Sequence, residues 1–118
     1  MDPNRIAKAK IEDLVRDLVA ENSVSSLSNV RISRKVAEWL EILDFTIEWI
    51  EYKDQNGVAK ASIVAKREAR NKRNNSPGTN QGAAYLAHTD VVPVDDWNTG
   101  FSGPFEAVQK DGKLYGRG

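Results

Sequence analysis

Apolar residues recur at three- and four-residue steps through the first forty positions and then switch to every second position, which confines the chain to helices followed by strands. Ile6, Ile11, Leu14, Val15, Leu18 and Val19 form one stripe. The spacing predicts a helix over 2–19, with Asp2 as cap and Pro3 in the first turn. The hydroxyl and amide side chains of ENSVSSLSN compete for backbone hydrogen bonds, ending that helix and supplying caps for a second over about 30–43. Val36, Ala37, Leu40 and Leu43 are its expected buried stripe, with Trp39 at the edge. Alternation over 45–52 predicts a strand with Phe45, Ile47, Trp49 and Glu51 on one face and Thr46, Glu48, Ile50 and Tyr52 on the other. KDQNG turns the chain, Asn56-Gly57 favouring positive dihedrals, and 58–66 returns as the second strand of a hairpin.

Residues 67–82 contain no Val, Ile, Leu or aromatic side chain and are dense in Asn, Gly, Ser and Pro, the composition of a solvated loop between strands. Five of the eight residues over 66–73 are basic. The run lacks aromatic residues to stack on bases, which disfavours nucleic acid as a partner. Across all 118 residues, 17 basic and 17 acidic side chains cancel, so no net field draws the chain to a polyanion or an anionic bilayer. Residues 1–59 carry −3 and residues 60–118 carry +3, a mild asymmetry. No cysteine is present, which excludes disulfides, thiolate metal ligands and cysteine nucleophiles. The charged N-terminus has no apolar signal core and no stretch is long enough to span a bilayer, giving a cytoplasmic expectation. The length allows one core, and an ending on LYGRG directly after an apparent strand suggests a piece of something longer.

After the loop, AAYLAH is an apolar run of the kind found in the centre of a sheet covered on both faces, with His88 and Asp90 at its C-terminal edge, where α/β sheets bind ligands. Strand geometry would put both side chains on one face, with α-carbons about 6.6 Å apart. His88 is the single histidine. Three readings stay open: a metal ligand whose second ring nitrogen is held by a carboxylate, a general base oriented by that carboxylate, or a polar strand end bonded to its neighbour. Asp95 and Asp96 read as a second carboxylate source or a solvated turn. Trp97, Phe101 and Phe105 read as packing residues. KDGK makes a second hairpin tip at Asp111-Gly112, and Arg117 is either an anion contact or a surface arginine.

YLAHTDVVPVDDW followed by GPFEAVQKDGKLYGRG closely resembles the M20 family of metallopeptidases and amidohydrolases, which includes acetylornithine deacetylase, succinyl-diaminopimelate desuccinylase, aminoacylase 1 and glutamate carboxypeptidases. Weaker similarity extends over both helices and the segment near Ser23 to Ser25. The resemblance implies an α/β fold: the N-terminal part of an α/β/α two-metal catalytic domain, with two helices and then mixed-sheet strands over 1–118. The inserted dimerisation or lid domain of the family is not expected within these residues. The resemblance implies His88 as ligand of one of two divalent metal ions, usually zinc, with cobalt or manganese as alternatives, and Asp90 as the active-site acid that clamps its imidazole. Asp95 and Asp96 do not match the bridging carboxylate, which in the family follows the G-R-G element. The implied activity of the intact protein is hydrolysis of an amide in a small acylated amino acid or peptide, with this piece expected to be inactive alone and a homodimer as an open expectation for the parent protein. A non-catalytic relative used for binding or assembly is the alternative reading, and a basic-loop nucleic-acid binder a weaker one.

Overall fold

The computed structural model describes Ile6, residues 8–68 and residues 82–117. The expected cap Asp2, Pro3, the bases Arg70, Lys72 and Arg73 of the loop, and Gly118 lie outside the described residues.

Helix α1 (Ile11–Val19) starts after Lys10, whose backbone is extended at φ −71°, ψ 144°. Glu12 and Asp13 stand in its first turn and Arg16 in its last, as the helix dipole favours. Its apolar stripe is present but only half used. Leu14, Leu18 and Val19 are half-buried, while Ile11 and Val15 face solvent. A deep buried face needs an element on each side, and among the described residues α1 has none over Ile11.

Helix α2 (Val30–Ile42) packs across the hairpin of β1 (Thr46–Lys53) and β2 (Ala59–Lys66). The ladder is antiparallel and in full register from Thr46↔Lys66 to Lys53↔Ala59. Pairs Ile47↔Ala65, Trp49↔Ile63 and Glu51↔Ala61 alternate with Glu48↔Val64, Ile50↔Ser62 and Tyr52↔Lys60. Ile50, Tyr52 and Val64, all of the second set, are exposed. The helix buries Ile32, Ser33, Ala37 and Trp39. Trp39 therefore moves from the expected edge to the core, whereas Val36, Leu40 and Leu43 are only half-buried. An indole removes more apolar surface from water than a branched aliphatic side chain does, so packing favours turning it inward.

The β1–β2 connection departs from the expected pair of positive dihedrals. Only Gly57 is positive, at φ 77°. Asp54 organises the turn instead: its carbonyl accepts from Gly57, and its Oδ1 accepts from the N–H groups of Asn56 (2.8 Å) and Val58 (3.0 Å). The Val58 bond foremost holds the Asp54 carboxyl below its ordinary pKa, with the Asn56 N–H and the Lys60 ammonium acting in the same direction against desolvation. Lys60, itself buried, donates from Nζ to the carbonyls of Ser25 and Leu27 and so ties the interhelical segment to β2. Glu21 is buried between Arg31 (2.8 Å) and Lys35 (2.6 Å), whose Nζ also donates to the Asp17 carbonyl. These charge-assisted bonds join the two helices.

The second hairpin, β3 (Val108–Lys110) and β4 (Lys113–Tyr115), has the expected tip: Asp111 and Gly112 are both positive, at φ 51° and 72°. Phe101 meets Tyr115 edge-to-face at 5.0 Å, Lys110 sits 4.4 Å over the Phe101 ring, and Trp97 Nε1 donates to the Ser102 carbonyl at 2.7 Å. Trp97 thus packs within the crossing, as expected, whereas Phe101 leans on the second hairpin and stays 40% exposed. Beyond β4, Gly116 lies against α1 so closely that a β-carbon there would stand 2.6 Å from Val19 Cγ1. Valine has little χ1 freedom in a helix, so Gly116→Ala is expected to cost about 1–2 kcal/mol through overpacking. Denaturant titration checks this, and restoration by Val19→Ala in the double variant identifies the contact.

The architecture is thus α/β, with two antiparallel ladders and one parallel bridge, Val24↔Val91, among the described residues. The strand expected at AAYLAH is not formed. Tyr85 and Leu86 are 92% and 89% exposed. An apolar run becomes a central strand only when neighbours satisfy its backbone and cover its faces, and no described residue does either.

Candidate metal-ligand site

The site is built where the segment after AAYLAH meets the link between the helices. Val91 donates its N–H to the Ser23 carbonyl at 3.0 Å and accepts from the Ser25 N–H at 2.9 Å. Two residues earlier, the Thr89 carbonyl accepts from the Ser23 hydroxyl at 2.6 Å. Ser23 is 3% exposed. With Thr89 and Val91 held along one edge, His88 and Asp90 present their side chains together. The His88 Nδ1 lies 3.1 Å from Asp90 Oδ1 and 2.9 Å from the Asp90 carbonyl oxygen.

Both partners of Nδ1 are acceptors, so Nδ1 carries the proton of the neutral ring and Nε2 keeps its lone pair. The His88 side chain is 84% exposed. An outward basic nitrogen on a ring whose other nitrogen is clamped by an anion is the arrangement of a metal-ligating histidine and its orienting carboxylate. A hydrolytic triad would require a hydroxyl on His88. Among the described residues none is bonded to it, and the nearby Ser23 hydroxyl is committed to Thr89.

The described residues contain no group of three or more His, Cys, Asp or Glu able to cage a metal. Asp95 and Asp96 are exposed and stand apart from any such group. Arg117 departs from the surface reading: it is half-buried, its Nη2 donates to the Pro93 carbonyl at 2.7 Å, and its backbone N–H donates to Pro104 at 2.7 Å. Arg117 therefore clasps the loop that leaves Asp90. A cleft of about 460 Å³ lined by Arg34, Ala37, Glu38, Glu41, Trp49 and Glu51 contains none of these residues. At the start of the basic run, Lys66 pairs with Glu48 at 3.1 Å, while Arg67 donates to the Leu43 carbonyl and lies 4.5 Å over the Phe45 ring. These two bases have partners within the chain. The described helices include none long and apolar enough to cross a membrane.

Sequence reading missed Ser23, treating it as a helix-ending hydroxyl. Its burial and its bond 66 positions away leave no local signal.

The segment that carries this site is similar to part of a known family. Residues 84–118, which carry His88, Asp90 and Arg117, match peptidase family M20/M25/M40. Homology to individual members is partial. The chain is 36% identical over 105 residues to the succinyl-diaminopimelate desuccinylase of Paraburkholderia xenovorans (strain LB400), a match covering 89% of the chain and 25% of that enzyme. To the acetylornithine deacetylase of Proteus mirabilis (strain HI4320) it is 33% identical over 115 residues, covering 90% of the chain and 26% of that enzyme. The chain spans about a quarter of the length of the curated relatives it matches. No solved structure gives a significant match.

Proposed function

We propose that this chain is the N-terminal portion of an M20-type catalytic domain and supplies one histidine ligand to a two-metal amide hydrolase. The observation that carries the reading is His88 Nδ1 held by the Asp90 carboxylate at 3.1 Å, with the opposite nitrogen outward, inside the segment that matches the family. The donor chemistry suits zinc, with cobalt or manganese as alternatives, because neutral imidazole and carboxylate bind such ions without sulfur. Bound divalent ions would supply a water of lowered pKa and polarisation of the amide carbonyl. His88 would hold one ion through Nε2. Asp90 would fix the tautomer, aim the ring and raise its basicity. Neither residue is free to serve as base for the attacking water, so the general base and the remaining ligands belong to other parts of the protein. The names of the two relatives point to N-acylated amino acids as the substrate class, and a cytoplasmic location, expected from the charged N-terminal residues, belongs to the same proposal.

A longer polypeptide that begins with these residues is expected to hydrolyse N-acetyl or N-succinyl amino acids, to lose the activity to a chelator, and to regain it with zinc, cobalt or manganese. The 118-residue chain is expected to show none. Chelator-resistant hydrolysis would reject the metal reading, and a longer protein inert toward every acyl amino acid would favour a non-catalytic binding role.

A further inference from the structure

The His88–Asp90 pair lies on an exposed segment whose preceding residues have no ladder, yet the pair holds a defined geometry. Something must fix the backbone between them. Two residues before the pair, Leu86 is almost wholly exposed, and one residue after it, Val91 enters the parallel bridge. The only side chain bonded to the peptide between His88 and Asp90, among the described residues, is that of Ser23.

We infer that Ser23 is a positioning residue that sets the tautomer of His88. Its hydroxyl donates to the Thr89 carbonyl at 2.6 Å while its own carbonyl receives the Val91 N–H at 3.0 Å, so a single residue grips the chain on both sides of Asp90. Because Ser23 is 3% exposed, water does not compete for its hydroxyl, and the bond is made in a low-dielectric setting where it directs geometry strongly. The grip keeps both the Asp90 carbonyl and Oδ1 within reach of Nδ1. Released from it, Asp90 would offer these acceptors only intermittently, and the imidazole would return toward its intrinsic preference for the proton on Nε2. That tautomer has no lone pair directed outward. The inference deepens the proposed metal-ligand role of His88, but its geometry stands without that role.

The test is a long-range 1H–15N correlation on the uniformly 15N-labelled chain, metal-free, at a pH where the ring is neutral. The wild-type chain is expected to show Nδ1–H. Ser23→Ala should raise the Nε2–H to Nδ1–H ratio on the order of fivefold, the equivalent of one hydrogen bond, and Ser23→Thr, which keeps the hydroxyl, should restore it. Circular dichroism establishes that each variant is folded. If Ser23→Ala unfolds, Ser23→Cys, whose thiol is only a weak donor to the Thr89 carbonyl, is measured instead and should move the ratio in the same direction. An unchanged Nδ1–H signal in a folded Ser23→Ala or Ser23→Cys chain overturns the inference, as does Nε2–H in the wild type. Zinc chloride added to the longer polypeptide, which would carry the remaining ligands, forms a separate arm. A Ser23 effect without any zinc-dependent change at Nε2 would uphold the positioning role and count against the metal reading. A zinc response at Nε2 with no Ser23 effect would do the reverse.

Discussion

His88→Ala in the longer polypeptide is expected to lower kcat/KM for an N-acyl amino acid by on the order of a thousandfold and to release metal, whereas Asp90→Asn should retain metal and lose about 10- to 100-fold. The difference follows from what each side chain touches. Removing an imidazole ligand forfeits one ion and with it several kcal/mol of charge stabilisation in the transition state, at about 1.4 kcal/mol per decade of rate. Asparagine at position 90 still offers an oxygen to the Nδ1–H, so orientation largely survives. The loss is the anionic charge that makes the ring a better ligand, and changes of that kind cost one to two decades. Metal analysis after gel filtration, read alongside steady-state kinetics, separates the two effects. Wild-type rates in either variant would reject the assignment of that residue. Equal losses of metal and rate in both would show that Asp90 is itself a ligand.

Local patterns foretold the elements whose partners are near in sequence. The period switch located α2, β1 and β2 to within a residue or two, and Asp111-Gly112 gave the second hairpin tip correctly. In those elements, backbone preference and packing are decided within about 40 residues. Asn56-Gly57 failed as a two-residue turn because Asp54 offers its carboxylate to two backbone N–H groups, a competition that the Asn-Gly pair does not reveal. AAYLAH failed for the opposite reason: its composition describes a central strand, but strand formation is a property of neighbours. The H-x-D spacing suggested a side-chain pair, and the structure contains one. Spacing alone left metal ligand, base and bland strand end open. The two acceptors at Nδ1 and the absence of a hydroxyl on the ring among the described residues narrowed these. Arg117 and Ser23 were illegible because their partners, Pro93 and Thr89, lie 24 and 66 positions away.

Asn29 gives the largest stability effect expected within the described residues. It occupies the N-cap position of α2, where an asparagine side chain would ordinarily bond to the first turn, yet it makes no capping bond there. Its amide instead pairs with the outer edge of β2: Nδ2 donates to the Ala61 carbonyl and Oδ1 accepts the Ala61 N–H, both at 2.8 Å. Antiparallel pairing with β1 leaves those two groups pointing away from the ladder, and Ala61 is 3% exposed. Asn29→Ala would therefore orphan a buried donor and a buried acceptor, an expected cost of about 3 kcal/mol in denaturant unfolding. Asparagine is the only residue of its size that presents a donor and an acceptor side by side. A capping role predicts that Asn29→Asp is harmless, since aspartate caps as well as asparagine. The edge-pairing role predicts that Asn29→Asp is nearly as destabilising as Asn29→Ala at neutral pH, because one carboxylate oxygen then faces the Ala61 carbonyl. Protonation converts that oxygen into a donor, so the folded-state pKa of the introduced carboxyl would lie above its unfolded value, and stability should return as pH falls through it. A variant Asn29→Asp with wild-type stability at pH 7 would overturn the edge-pairing account. Recovery on acidification would establish that this one amide substitutes for a neighbouring strand.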